Sequence, residues 1–152
     1  MDRLIMFIAT GGGIGRIPFA PGTFGTIPGL LIHWLIFRLD PPFYLAVFAA
    51  ITVIAILTAG GAEKILDRAD PGSVVIDEIA GVLVALAFLP PTPLNLAAAF
   101  ILFRIFDIAK PFPVGWFDRN LHGGPGIVID DLAAGAMAWA VIQLGRYLAT
   151  FI

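Results

Sequence analysis

The sequence predicts an all-α protein, a multi-helix integral membrane bundle with short or broken helices and a polar site at one end. Three observations carry that expectation. The 152 residues are 59% hydrophobic and only 13% charged, with a mean hydropathy of +0.96. Soluble domains are about 45–50% apolar and about 25% charged, and so short a chain cannot hide this excess in one aqueous core. Long apolar runs broken by proline corners show no alternation of the kind a half-buried strand requires. Last, the acidic residues fall where back-and-forth threading of helices gathers them at one end. The length suits one domain, residues 1–152.

Each element follows in order. Met1–Ala9 reads as a short interfacial helix. Its apolar run is shorter than a signal-peptide core, so no cleavable signal is expected. No lipidation motif is expected either, since Asp2 stands where myristoylation needs glycine and there is no cysteine to prenylate. Thr10–Thr26, rich in Gly and Pro, reads as a long loop. Ile27–Leu39 is an apolar helix with Pro28 in its first turn, His33 as a structural or interfacial residue, and Asp40 closing it. Pro41-Pro42 opens Phe43–Gly60, an uncharged helix of about the length a bilayer needs. Gly61–Asp70 reads as a separate amphipathic surface helix ended by Pro71-Gly72. An apolar helix runs from near Asp77 to Leu89, Pro90-Pro91-Thr92-Pro93 makes a corner, and Leu94–Lys110 returns. Pro111–Ile129 reads as a loop, with Trp116 and Phe117 as an aromatic anchor at head-group depth. Asp131–Phe151 is the last apolar helix. Asp77-Glu78-Ile79-Ala80-Gly81 and Asp130-Asp131-Leu132-Ala133-Ala134-Gly135 form a pseudo-repeat, read as a packing unit rather than a duplication.

Composition excludes several chemistries. A net charge of −2 gives no basic footprint for nucleic acid. Without cysteine there is no disulfide, thiol catalysis or Cys-ligated zinc. The threading puts Asp77, Glu78, Asp107, Asp130 and Asp131 on one side, with Thr23 and Thr26. Carboxylates against apolar helices are functional candidates by default, because charge near hydrocarbon is expensive. The bland alternative is that acids at helix starts complement the helix dipole, but Asp107 lies near a helix end where the dipole disfavours it. Oxygen ligands suit Mg²⁺, whereas two histidines supply zinc or copper poorly. Arg104 and Asp107, at i and i+3, share a helix face as a phosphate clamp beside a metal ligand, or as a structural ion pair. Lys110, one turn on, is a phosphate contact or a snorkelling boundary residue. Gly22, Thr23, Gly25 and Thr26 offer N–H groups and hydroxyls to a phosphate at a helix start. His122, Gly123 and Gly124 form a second close-approach loop, with His122 a candidate acid or base or a surface residue.

The stretches Pro21–Thr26 (PGTFGT), Val74–Gly81 (VVIDEIAG) and Phe103–Gly135 resemble the bacterial phosphatidylglycerophosphatase A family. The pattern matches at Gly22, Thr23, Gly25, Asp77, Glu78, Arg104, Asp107, Lys110, Pro111, Asp118, Arg119, Gly123, Gly124, Gly126, Asp130 and Asp131. Thr26 departs from it, standing where many members carry Ser. The resemblance implies a helical membrane enzyme of lipid synthesis that removes the phosphate of phosphatidylglycerophosphate and requires Mg²⁺. Asp77, Glu78, Asp107, Asp130 and Asp131 are the expected metal ligands. Asp77, Glu78, Arg104, Asp107, Lys110 and Asp131 are the expected catalytic set. Gly22, Thr23, Gly25, Thr26, Arg119, His122, Gly123 and Gly124 are expected at the substrate. The nucleophile stays open between a water activated on Mg²⁺, which is favoured, and a carboxylate.

Two other readings share these parts. One is a phosphatase of another lipid phosphate. The other, of a different class, is an ion-coupled transporter, against which the acids gather at one end and not at the midplane. The expected location is the inner membrane, multi-pass, with the bilayer and a phospholipid as partners and oligomeric state open. Arg3, Arg16, Lys64, Arg68, Lys110 and Arg119 fall on the acidic side, with Arg38 and Arg146 opposite, so the site is expected to face the cytoplasm.

Overall fold

Proline marks where most of the long helices begin. In the computed structural model, which describes residues 1–151, Pro21, Pro41 and Pro93 each occupy the first helical position, where the missing N–H is no loss. The described residues form seven α-helices and no strand: α1 (Asp2–Ala9), α2 (Pro21–Ile36), α3 (Pro41–Leu66), α4 (Ile76–Ala85), α5 (Pro93–Ala109), α6 (Val114–Asn120) and α7 (Gly123–Ala149). A 3₁₀ turn, Gly11–Arg16, joins α1 to α2. The expected all-helical bundle is what the chain forms. Two of its helices, α3 and α7, are long and apolar enough to cross a membrane.

Several boundaries differ from the sequence reading. Pro21–Thr26 is not loop but the start of α2, so Pro28 lies inside the helix. Glycine costs helix stability, but here Gly25 lets α2 press against Val75 and Gly29 lets it press against Val82. The expected surface helix after Gly60 is the continuation of α3, which runs unbroken to Leu66 and closes on Asp67 in the left-handed region. Part of Pro111–Ile129 is the separate helix α6, and α7 begins at Gly123. Asp131 is therefore about two turns inside α7, not at its start.

The centre of the bundle is α4, whose residues are nearly all buried. It packs most extensively on α7 and also contacts α2, α3 and α5. Ten residues rise about 15 Å, half of a bilayer core of about 30 Å, so α4 is a half-length helix held by its neighbours. The pseudo-repeat is a packing unit: a Cβ on Gly81 would lie 2.8 Å from the Asp131 carbonyl, and one on Gly135 would strike the Gly81 carbonyl. Only bare backbone lets the two acidic helices approach this closely.

Both ends of the α4 segment are tied. The Val75 N–H donates to the Ala9 carbonyl at 2.9 Å. At the far end, buried His33 donates from Nε2 to the Leu89 carbonyl at 2.9 Å. A carbonyl only accepts, so Nε2 carries the proton and Nδ1 is left to accept from Tyr44 Oη at 3.4 Å. The structural role expected of His33 is the one it has. Outward, α2, α3, α5 and α7 expose large apolar side chains such as Leu31, Leu35, Leu57, Ile101 and Leu144, a surface suited to hydrocarbon and not to water.

Candidate active site

Asp77 and Glu78 lie in the first turn of α4, and α7 brings Asp131 alongside. Each contributes an oxygen to a group whose atoms all lie within 4.8 Å of one another. Asp77 and Asp131 are buried, and Glu78 is only 13% exposed. Asp77 Oδ1, Glu78 Oε2 and Asp131 Oδ2 have no hydrogen-bond partner. A buried carboxylate oxygen left unpaired is costly, and a cation placed among the three would satisfy them together. This donor set, all carboxylate and without sulfur or imidazole, fits a small hard divalent ion such as Mg²⁺.

Arg104 comes to the same place from α5. Its Nη1 lies 2.6 Å from Asp107 Oδ2 on its own helix and 3.6 Å from Glu78 Oε1 across the interface. The close approach to Asp107 is an ion pair without hydrogen-bond alignment, and both Nε and Nη1 remain without an acceptor. A buried guanidinium with donors to spare, beside three carboxylates with oxygens to spare, can hold an anion and a cation side by side. Gly22, in the first turn of α2, closes this group from above. A Cβ there would strike Glu78 Oε1 and lie 2.9 Å from Arg104 Nη1, so any larger residue would push these two side chains out of their present places.

Asp130 belongs to a neighbouring group. Lys110, the left-handed C-cap of α5, donates to Asp130 Oδ2 at 2.9 Å and to Asp118 Oδ1 on α6. Burial opposes the Lys110 ammonium, and the two carboxylates more than offset it, so its pKa stands above the ordinary lysine range. Two of its three donors are thereby committed. Asp130 Oδ1 accepts from the Asp131 N–H at 3.1 Å, linking the two groups. Asp107, expected as a metal ligand, is the partner of Arg104, and Asp130, also expected as one, is the partner of Lys110.

The remaining expected residues divide. Thr23 is half-buried near Gly22. Thr26 is fully buried and gives its hydroxyl proton to the Gly22 carbonyl at 2.8 Å, while Gly25 serves packing against Val75. Gly124 sits against the Ile56 carbonyl of α3. Arg119 and His122 are exposed. His122 and Gly123 line a cavity of about 130 Å³ with Glu63, Asp70, Asp118 and Asp130. Asp118 carried no role in the sequence reading, because it lies on α6, a helix too short to show periodicity. Its only sequence signal is its place in the matched stretch.

Comparison with known proteins gives a consistent result. The family model for Phosphatidylglycerophosphatase A matches residues 7–146. The chain is 37% identical over 136 residues to Phosphatidylglycerophosphatase A of Escherichia coli (strain K12), covering 89% of this chain and 79% of that one. It is 36% identical over 145 residues to Phosphatidylglycerophosphatase A of Haemophilus influenzae, covering 94% and 89%. A Bacteroides thetaiotaomicron protein named as a candidate phosphatidylinositol-3-phosphatase is 35% identical over 153 residues, covering 95% of each chain. No solved structure matches. With a match that spans nearly its whole length and includes every acid of the buried cluster, the chain belongs to the phosphatidylglycerophosphatase A family.

Proposed function

We propose that this chain hydrolyses the terminal phosphate monoester of phosphatidylglycerophosphate, giving phosphatidylglycerol and inorganic phosphate, in a reaction that requires Mg²⁺. The observation that carries the reading is the trio of unpartnered carboxylate oxygens on Asp77, Glu78 and Asp131 beside the unpartnered donors of Arg104. Family membership supplies the substrate.

Asp77, Glu78 and Asp131 would hold Mg²⁺, which supplies Lewis-acid chemistry, neutralising phosphoryl charge and acidifying water. The chain's own residues do the rest. Arg104 binds phosphoryl oxygens through Nε and Nη1, where the charge grows as the bond to the leaving alcohol breaks. Asp107 and Glu78 hold that guanidinium in place from two sides. Lys110 stays charged and fixes the orientation of Asp130, which in turn caps the Asp131 N–H. Gly22 leaves the space above Glu78 and Arg104 free of side chain.

Purified protein should release phosphate from phosphatidylglycerophosphate in Mg²⁺, lose that activity in excess chelator, and regain it when Mg²⁺ returns. Full activity in chelator would overturn the metal assignment. A second reading, hydrolysis of a different lipid phosphate, is favoured by the Bacteroides relative. The same assay run with phosphatidylinositol 3-phosphate separates the two, and faster release from that lipid would replace the substrate named here.

A further inference from the structure

Apart from the acidic cluster, α1 and the 3₁₀ turn border an open cavity of about 480 Å³, lined by Asp2, Arg3, Met6, Phe7, Gly12 and Arg16 among others. Among the described residues neither arginine is in an ion pair. Asp2 offsets one of the two charges, which leaves the cavity wall cationic. Gly12 and Gly13 adopt the left-handed region, and a Cβ on Gly13 would meet open space. The surface around it is apolar and exposed: Met1, Leu4 and Phe7 follow one another at helical spacing, and Phe19 stands nearby in sequence. Two free guanidinium groups bordered by bare apolar side chains match a ligand that is anionic at one end and hydrocarbon at the other. Gly11, in the same turn, packs on Val75, two residues before Asp77, so the cavity opens on the end of the bundle where the acids gather.

We propose that this cavity is a head-group site for an anionic phospholipid, separate from the catalytic cluster. Arg3 and Arg16 bracket the lipid phosphodiester, and Met1, Leu4, Phe7 and Phe19 lie among its acyl chains. The site does not depend on the substrate assigned above, and its test reads binding, not turnover.

The full chain, purified in a neutral detergent, is mixed with phosphatidylserine, phosphatidylcholine or inorganic phosphate, and retained ligand is counted by native mass spectrometry. Phosphatidylserine is an anionic phosphodiester and offers no monoester to the acidic site. The wild type should retain one phosphatidylserine in preference to phosphatidylcholine. R3Q/R16Q should weaken that retention roughly 30-fold, and R38Q/R146Q, which removes two arginines of the other end, should leave it unchanged. Equal retention of phosphatidylcholine, no retention at all, or wild-type retention by R3Q/R16Q overturns the proposal. Retention of inorganic phosphate alone, lost in R3Q/R16Q, would make the cavity a soluble-anion site and also overturns the lipid assignment.

Discussion

Asp130 and Asp131 are neighbours in sequence with different partners. Adjacent helical residues point about 100° apart, so Asp131 turns to Asp77 and Glu78 while Asp130 turns to Lys110 and Asp118. The proposed chemistry then ranks the acids. Asp77→Asn, Glu78→Gln and Asp131→Asn should each lower kcat by roughly 100-fold or more while the protein still extracts from membranes as a folded species. Asp130→Asn, which gives up one of the two oxygens that serve Lys110 and the Asp131 N–H but touches none of the three unpartnered oxygens, should lower it far less. Near wild-type rates for any two of the first three would displace the site. The sequence located the five acids because helix threading alone gathers them. It left the pairing of Asp107 and Asp130 open because pairing depends on side-chain direction and on α6, neither of which apolar periodicity reports.

The interface between α4 and α7 is a contact of backbone on backbone, with Gly81 and Gly135 facing each other's helices. Gly135→Ala places a methyl against the Gly81 carbonyl and near Val84, and should destabilise the protein by about 1–3 kcal/mol. Thermal unfolding in detergent reads this directly, and Gly145→Ala on the same helix, where a Cβ meets open space, is the control, expected to leave the midpoint unchanged or to raise it through alanine's better helix propensity. An unchanged midpoint for Gly135→Ala would mean the helices are not packed this way. The long apolar helices were legible in the sequence because length and hydropathy suffice to find them. Their starts at Pro21 and Gly123 were not, because glycine-rich turns read as loop until the partner surface that tolerates them is known. The run through Gly60-Gly61 was hidden for the same reason: a Cβ on Gly60 would lie 3.0 Å from the Gly124 backbone nitrogen, so the pair marks a close crossing and not a break.

For the molecule as a whole, the distribution of cations carries an expectation of which way the acidic end faces. Lys64 closes α3, Lys110 caps α5 and Arg119 ends α6, all at the acidic end, whereas Arg146 lies in the last turn of α7 and Arg38 follows α2. Cationic flanks favour the cytoplasmic side, so that end is expected inside the cell. Gly72 is exposed, a Cβ there meets open space, and the chain has no cysteine of its own. Gly72→Cys should therefore react with a membrane-impermeant thiol reagent only after the cells are opened, and labelling of intact cells would invert the topology. The two ties on the α4 segment, Val75 to Ala9 and Leu89 to His33, bear on what moves during turnover. A helix tied on both sides resists sliding like a piston, so backbone amide exchange across 76–85 should be the same with and without bound lipid. The acids then stay at one fixed depth. On the proposed activity, it is then the lipid that must travel, bringing its phosphate to acids that hold their place.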